Sequence, residues 1–474
     1  DEAIVSSGQS YGLSSCGLSK VDEIPYDFIR RRLTIVIADD RVPSPHLMIA
    51  KGAVAQILEI CSFVEWDGVD VALDETRRAS LQQIFESRSA QGCRVLAVAT
   101  RQLAAQARYL REDEVNLTFR GFLILIDPPK RDIVRTIADL NDLGVRIKVI
   151  SGDNRYVTAH LAQTIGLDSR SMLTGAQLHR MRDESLWHLA PRTDLFVEID
   201  PQQKERIVRA LQHTGRVVGY LGDGINDAPA LHAADVGVSV EKAVDVARES
   251  ADIILLRTDL DVLREGVEGG RRTFINTLKY IQIAASANFG NMISMALATP
   301  FLPFLPLAAK QILLNNFLSS IPSVALSTDN VDAEQVARPQ KWSIKSIRSF
   351  MIVFGLVSSV FDLLTFGVLL YVFRAGEALF QTSWFMISLL TELVVVLVLR
   401  THRPALLSQP SDVLLGATIV VSVLTFAIPV LGAVSAAFNF VPLPMSLLTS
   451  VVAIVLGYVV ATELVKIWFF RARL

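Results

Sequence analysis

The segment Gly222-Asp223-Gly224-Ile225-Asn226-Asp227 sets two glycines and two carboxylates within one short loop, directly after the apolar run RVVGYL. Carboxylates on a tight glycine loop can reach a hard cation such as Mg2+, while backbone amides approach phosphate oxygens. A plain Gly-Asp turn between a strand and a helix has the same composition, so partners decide its meaning. Ser151-Gly152-Asp153 supplies a hydroxyl and amides suited to phosphate oxygens, and Lys204, in DPQQKERIV, supplies a cation to balance phosphoryl charge. On its own, Lys204 reads as a solvated helix residue. In combination these residues describe a site for a metal and a phosphate.

The elements that must hold these loops are legible in the pattern. Up to about Gly270, short β-branched runs (RLTIVIA, CRVLAVAT, GFLILID, VRIKVIS, RVVGYLG) alternate in several places with helical patterns such as PKRDIVRTIADLNDLG and QQKERIVRALQHTG. Such repetition predicts a parallel α/β sheet with its ligand site at the carboxyl ends of the strands. DPPK, SGDN and GDGIND each follow a strand-like run, so three polar loops are expected to converge on one edge.

Beyond Gly270 charges nearly vanish: Tyr280 to Ala309 carries none, and 413–462 is uncharged throughout. A spanning helix needs roughly 20 apolar residues, and six fit, at about 277–299, 307–327, 349–372, 379–399, 413–433 and 445–467. Basic residues set the orientation. Arg338, Lys341, Lys345 and Arg348 in one connection, Arg400 and Arg403 in another, and Lys466, Arg471 and Arg473 at the end place these segments on the side of the soluble half. The chain, 474 residues with 51% hydrophobic content and mean hydropathy +0.39, is too apolar to be wholly water-soluble. A formal net charge of −2 gives no reason to expect nucleic acid as a partner. Cys16, Cys61 and Cys93 lack metal-ligand spacing and read as reduced thiols. The chain opens on Asp1 without a leader, and a fragment or a processed piece of a longer protein is expected.

In this order, and followed by membrane helices, these loops resemble the haloacid-dehalogenase-like phosphorylation domain of P-type ion-pumping ATPases. GDGINDAPAL is similar to that family's hinge signature, and DPPK and SGD to its companions, with Ser151 where threonine is usual. YDFIRRR, KGA and CRVLAVAT resemble its nucleotide-binding segments. Within the family, KVDEIPYDFIRRR, LIDPPK, GDGINDAPALHAADVGVSV, SANFGN and STDNVD are closest to bacterial magnesium-translocating pumps.

The resemblance implies the later part of an α+β nucleotide-binding domain over 1–120, a phosphorylation domain over 121–270 and a six-helix membrane domain over 271–474. It assigns Asp223 to the catalytic Mg2+, with Asp227 as the second carboxylate of the metal site and a support of the loop, and Asn226 between them. Ser151, Gly152 and Lys204 would contact the phosphoryl group and Asp153 would lie near the nucleotide. ATP, the substrate, would meet Phe28 by stacking, Lys51 and Gly52 in the pocket wall, and Arg94 at the phosphates.

The family passes phosphate through an aspartate in an Asp-Lys-Thr-Gly-Thr segment, which occurs nowhere in this sequence. The resemblance therefore covers the carboxyl-terminal half of a pump, whose partner is the missing amino-terminal half and which alone is expected to be inactive. The matching cation positions are Asn288, Asn291, Asn316, Ser319 and Ser320, with Glu392 as an intramembrane carboxylate. Polar groups at membrane depth are costly unless they pair or face a wet cavity, and interhelical hydrogen bonding is their alternative role. Ser320 stands where related pumps commonly carry aspartate. Because Mg2+ releases water reluctantly, amides could hold a partly hydrated ion. The implied activity is ATP-driven Mg2+ import across a bacterial inner membrane, with the soluble domains cytoplasmic. A pump for Ca2+ or another cation, and a non-catalytic truncated membrane protein, are the alternatives.

Overall fold

The computed structural model describes residues 2–27, 30–39, 42–129, 132–257 and 259–471. It divides into one compact unit of Asp1–Leu140 with Arg146–Val262 and another of Asn141–Val145 with Leu263–Leu474.

In the first unit, seven strands form one sheet: β1 (Leu18–Asp27), β2 (Arg32–Asp39), β3 (Val42–Gly52), β4 (Cys61–Trp66), β5 (Val69–Ala72), β6 (Cys93–Leu103) and β7 (Leu117–Ile126). Their order is β1-β2-β3-β6-β7-β4-β5, and only β4 and β7 run parallel. Period-two burial explains the strands: in β6, Val95, Ala97 and Ala99 are buried while Leu96 and Val98 are half-buried. The buried face packs on Val54, Ile57, Leu58 and Leu81, the last from α1 (Glu75–Ala90).

The parallel part is smaller than the strand count predicted, and it is divided. β8 (Val149–Ile150), β9 (Met172–Thr174) and β10 (Leu195–Val197) form one parallel sheet ordered β8-β10-β9. β11 (Gly219–Leu221), β12 (Val236–Val240) and β13 (Ile253–Leu255) form another in sequence order. The expectation that all these strands share one parallel sheet is corrected here, because the strand before DPPK is β7, which pairs antiparallel with β6. Antiparallel partners can be joined by short turns, whereas parallel ones need crossovers, and three of the six connections before β7 are four residues or shorter. β7 also runs through residue 120, the expected domain boundary.

Helices α2 (Arg155–Thr164), α3 (Pro201–His213) and α4 (Ala228–Ala233) complete the parallel part. Ile150 and Val218 pack against both of its apolar clusters.

The second unit is helical: α5 (Asp261–Ala298), α6 (Ala309–Ala325), α7 (Ile344–Gly367), α8 (Glu377–Leu399), α9 (Asp412–Ala427) and α10 (Met445–Arg471). Helices thus occur at all six expected places. Four segments are long and apolar enough to cross a membrane, Ile344–Val372, Glu377–Leu399, Asp412–Val430 and Met445–Arg471. α8 is the central one, 83% buried over its most apolar stretch. Trp384, Phe380 and Phe385 of α8 are fully buried, with Phe366 of α7 edge-on to Trp384 at 4.8 Å between ring centroids. α5 and α7 cross at two glycines: a Cβ on Gly355 would stand 2.7 Å from the Phe289 ring, and one on Gly290 3.0 Å from the Gly355 carbonyl.

Candidate functional site

α3 starts on a capping box. The Asp200 carboxylate accepts from Gln203 N at 2.8 Å, the Gln203 side chain accepts from Asp200 N at 3.2 Å, and Pro201 occupies the first turn. This fixed start aims Lys204 at the loop after β11, where its Nζ donates to Asp227 Oδ1 at 2.7 Å. The Tyr220 hydroxyl donates to the same oxygen at 2.7 Å, and Gly224 N donates to Oδ2 at 3.1 Å. Burial opposes ionisation of Asp227, but the bonds from Lys204 and Tyr220 and the lysine charge outweigh it and hold the carboxyl below its ordinary value. Gly222 is dictated by space, since a Cβ there would stand 2.5 Å from Asp227 Cβ.

Asp223 stands apart from this ladder. Its carbonyl accepts from Val244 N at 3.1 Å, which fixes the backbone, while the residue itself is exposed. Among the described residues its carboxylate forms no ion pair. Asn226 lies half-buried in the short 3-10 turn Ile225–Asp227. One carboxylate of the loop is therefore fully committed to protein donors and the other is open, a donor set that fits a hard cation bound largely by water and phosphate oxygens.

The second loop follows β8. Ser151 Oγ accepts from Asp153 N at 3.0 Å, and Asn154 caps α2 by accepting from Tyr156 N and Val157 N, both at 3.0 Å. Backbone bonds from Glu198 N to the Asp153 carbonyl and from Ile199 N to the Ser151 carbonyl, both 3.0 Å, tie this loop to the segment that leads into Lys204. β8 and β11 are each an end strand of their sheet. Both loops thus leave the carboxyl ends of parallel edge strands, the position expected for ligand contacts.

The seven-stranded sheet carries the expected nucleotide residues. Leu33 pairs with Lys51 and Lys51 with Val98, so all three share a face, and Arg94 joins it by the two-residue period of β6. Four residues of strand separate Arg94 from the Lys51 level, about 13 Å at strand rise. The half-buried Leu96 lies between the two cations, Val98 stands at the Lys51 level, and the half-buried Ile35 and Ile49 continue the face one level beyond Lys51. An apolar floor with Arg94 at one end and Lys51 inside it suits a base and its phosphates. Arg94 also pairs with Asp153 at 3.6 Å, so this face ends beside the Ser151 loop. Gly52 is buried, and a Cβ there would stand 2.5 Å from the Arg31 carbonyl. Phe28 lies outside the described residues.

Two arginines of the RRR run are spent on a residue the sequence did not flag. Glu114 accepts from Arg30 Nη1 at 2.8 Å, Arg32 Nε at 2.9 Å and Thr34 Oγ1 at 2.6 Å. Burial opposes its ionisation, yet these donors hold its carboxyl below the ordinary value.

In the helical unit, Glu392 of α8 accepts from Asn291 Nδ2 of α5 at 2.6 Å, and Asn315 Nδ2 of α6 lies 3.5 Å from both carboxylate oxygens. Ser319 is also within hydrogen-bonding reach of Glu392. Asn315 Oδ1 is buried without a partner. Of the expected cation residues, Asn291, Ser319 and Glu392 therefore meet. Asn288, Asn316 and Ser320 lie on exposed faces of their helices, with Ser320 Oγ donating to the Asn316 carbonyl at 2.6 Å. Asn315 was missed. Its signal was the buried stripe Gln311, Asn315, Leu318 and Pro322, spaced by four, three and four residues along α6, which leaves Asn316 out.

Residues 8–132 match the family described as P-type ATPase, cytoplasmic domain N, and residues 304–468 match Cation transporting ATPase, C-terminus. A magnesium-transporting ATPase, P-type 1, of Escherichia coli K12 is 42% identical over 458 residues, covering 95% of this chain and 51% of that protein. The protein of the same description from Salmonella typhimurium LT2 is also 42% identical, over 95% of this chain and 50% of its own length. A calcium-transporting ATPase of Bacillus subtilis is 28% identical over 67% of this chain and 36% of its own. The chain spans about half the length of the magnesium-transporting relatives it matches.

Proposed function

Since the chain belongs to the P-type ATPase family, we propose that it supplies the nucleotide face, half of the phosphoryl-transfer site and the cation-binding helices of an ATP-driven Mg2+ importer. The observation that carries this reading is the pair of parallel edge strands, β8 and β11, each ending in a phosphate-type loop, with Lys204 of one half bonded to Asp227 of the other at 2.7 Å. A further strand from the preceding part of the intact protein would complete the sheet and bring the acceptor aspartate between the loops, making one haloacid-dehalogenase-like domain.

Within that site Asp223 would hold the catalytic Mg2+, which when bound supplies charge neutralisation at the phosphoryl oxygens. Lys204 would offset phosphoryl charge while fixing Asp227, and Ser151 and the Gly152 amide would orient the phosphoryl oxygens. ATP would lie along the face between Lys51 and Arg94, with Asp153 holding Arg94 near the phosphates. Asp227 acts as the strut of the loop, because its oxygens already serve Lys204, Tyr220 and Gly224 N.

The helical unit would cross the bilayer six times, with α5 and α6 joining the four clearly apolar helices. Basic residues beside α7, after α8 and at the end of α10 support an orientation with the soluble parts in the cytoplasm, at a bacterial inner membrane. The transported ion would bind at Glu392, Asn291, Asn315 and Ser319. An amide-rich site with one carboxylate favours an ion that keeps part of its water, which suits Mg2+ over Ca2+.

The test uses the full-length pump in proteoliposomes, with ATP-driven uptake measured across Mg2+, Ca2+, Mn2+ and Zn2+. Selective Mg2+ uptake is expected. Uptake of Ca2+ in preference would replace the ion, and uptake of none would sink the pump reading.

A further inference from the structure

The turn between α8 and α9 is built inside out for a loop in water. Over 400–408, RTHRPALLS, every polar side chain is engaged by the protein. Arg400 Nη2 donates to Ser408 Oγ at 3.1 Å, Thr401 Oγ1 to Asp332 Oδ2 at 2.6 Å and Ser408 Oγ to Asp332 Oδ1 at 2.8 Å. Arg403 pairs with Glu334, and the His402 ring lies over Phe470 of α10 with centroids 3.9 Å apart. The two large apolar side chains are left outside: Leu406 is fully exposed and Leu407 is 73% exposed. Water favours the opposite arrangement, with leucine turned in and polar groups turned out.

The depth of this turn follows from α10. Ala405 N, directly before the leucines, donates to Glu463 Oε1 at 3.3 Å. Side chains on a helix lean toward its amino-terminal end, so Ala405 stands at the Glu463 level or nearer Met445. Glu463 is eighteen residues beyond Met445, where α10 begins, about 27 Å at helical rise. The hydrocarbon core of a bilayer is about 30 Å thick. The leucines therefore stand at its boundary. Leu464, beside Glu463, and Val413, in the first turn of α9, are also exposed, so the pair extends an apolar surface that the spans already present to lipid. Trp468, one turn further along α10 and exposed, is an amphipathic ring of the kind that collects at that boundary.

Resting on the membrane orientation proposed above, we propose that Leu406 and Leu407 insert into the cytoplasmic leaflet, making the turn between α8 and α9 an interfacial anchor whose partner is the bilayer itself. Insertion of two leucines calls for hydrocarbon and for no particular headgroup. The engaged polar groups leave the pair without the polar rim of a protein interface, which favours lipid over a second chain as the occupant.

The test is quenching of a bimane label on single cysteines in the full-length pump, freed of its other reactive cysteines and reconstituted in phosphatidylcholine vesicles. Leu406→Cys and Leu407→Cys carry the label in turn. Leu456→Cys, exposed in the middle of α10, is the lipid-facing reference, and Gln409→Cys, exposed on the same turn, is the water-facing one. Brominated phosphatidylcholine should quench the label at 406 and 407 roughly twofold or more above its effect at 409, and iodide on both sides of the membrane should quench it roughly twofold or more below. Iodide quenching equal to that of Gln409→Cys would place the leucines in water. Protection from both quenchers would place them under protein, either the preceding part of the intact pump or a second copy. Each of these results overturns the anchor and leaves the membrane reading intact. Absence of brominated-lipid quenching at Leu456→Cys would overturn the membrane reading and the anchor with it.

Discussion

Asp227 and Glu392 carry the same charge, and their neighbours compensate it by opposite means. Asp227 has a lysine at 2.7 Å and is sealed into its loop. Glu392 has the amide of Asn291 at 2.6 Å and that of Asn315 at 3.5 Å, with no cationic side chain paired to it among the described residues. A lysine settles a carboxylate permanently, because separating them would strand a charge. Amides lower the cost of the charge without cancelling it, so the carboxylate remains available to a mobile cation. The first arrangement builds a strut, and the second suits the exchangeable cation site proposed above. In the same loop as the strut, Asp223 shows that the lysine was placed selectively, since it leaves one carboxylate open.

The comparison is broken most severely at Asp223. Asp223→Ala in the full-length pump should lower ATP turnover by roughly a thousandfold, as loss of a metal-holding or charge-stabilising group does, while the thermal melting of the protein stays near wild type. Lys204→Met should act the other way, on stability as well as turnover. It strands a buried carboxylate at a cost of about 3 kcal/mol, readable as a lower denaturation midpoint. Glu392→Gln should leave folding unchanged, since glutamine can still accept from Asn291. Mg2+ affinity should fall at least tenfold, about 1.4 kcal/mol. Asn315→Leu should weaken Mg2+ binding a few-fold, consistent with loss of one neutral donor at about 1 kcal/mol.

Acid gives the mildest probe, and its sign follows from the lowered carboxyls. Asp227 and Glu114 both ionise more readily folded than unfolded. Their contribution to stability is complete above the ordinary carboxylate range near pH 4 and is lost as pH falls through the lower folded values. Acid unfolding of the soluble unit should therefore steepen below about pH 4, and Lys204→Met should move that limb to higher pH.

What the sequence revealed divides along the same line. The GDGIND loop was legible because its demands are local: Gly222 has no room for a Cβ, and Asp227 closes back on Gly224 within the same turn. The strand-like runs were legible by period, but their partners were not. Whether GFLILI joins a parallel or an antiparallel neighbour depends on contacts with β6, and β7 took the antiparallel one. Helices were legible at all six apolar places, whereas the phase of α6 was not. Asn315 and Asn316 are chemically identical, and only packing against α8 decides which meets Glu392. Glu114 was invisible for the same reason, since Arg30 and Arg32 lie more than eighty residues from it along the chain.

The most direct test measures phosphoenzyme formed from ATP and Mg2+ uptake on the same vesicles, for full-length pumps carrying Asp223→Ala or Glu392→Gln. Asp223→Ala should lose both signals, while Glu392→Gln should still phosphorylate at saturating Mg2+ but transport Mg2+ poorly. Wild-type uptake by Glu392→Gln, or wild-type phosphoenzyme turnover by Asp223→Ala, would contradict these assignments.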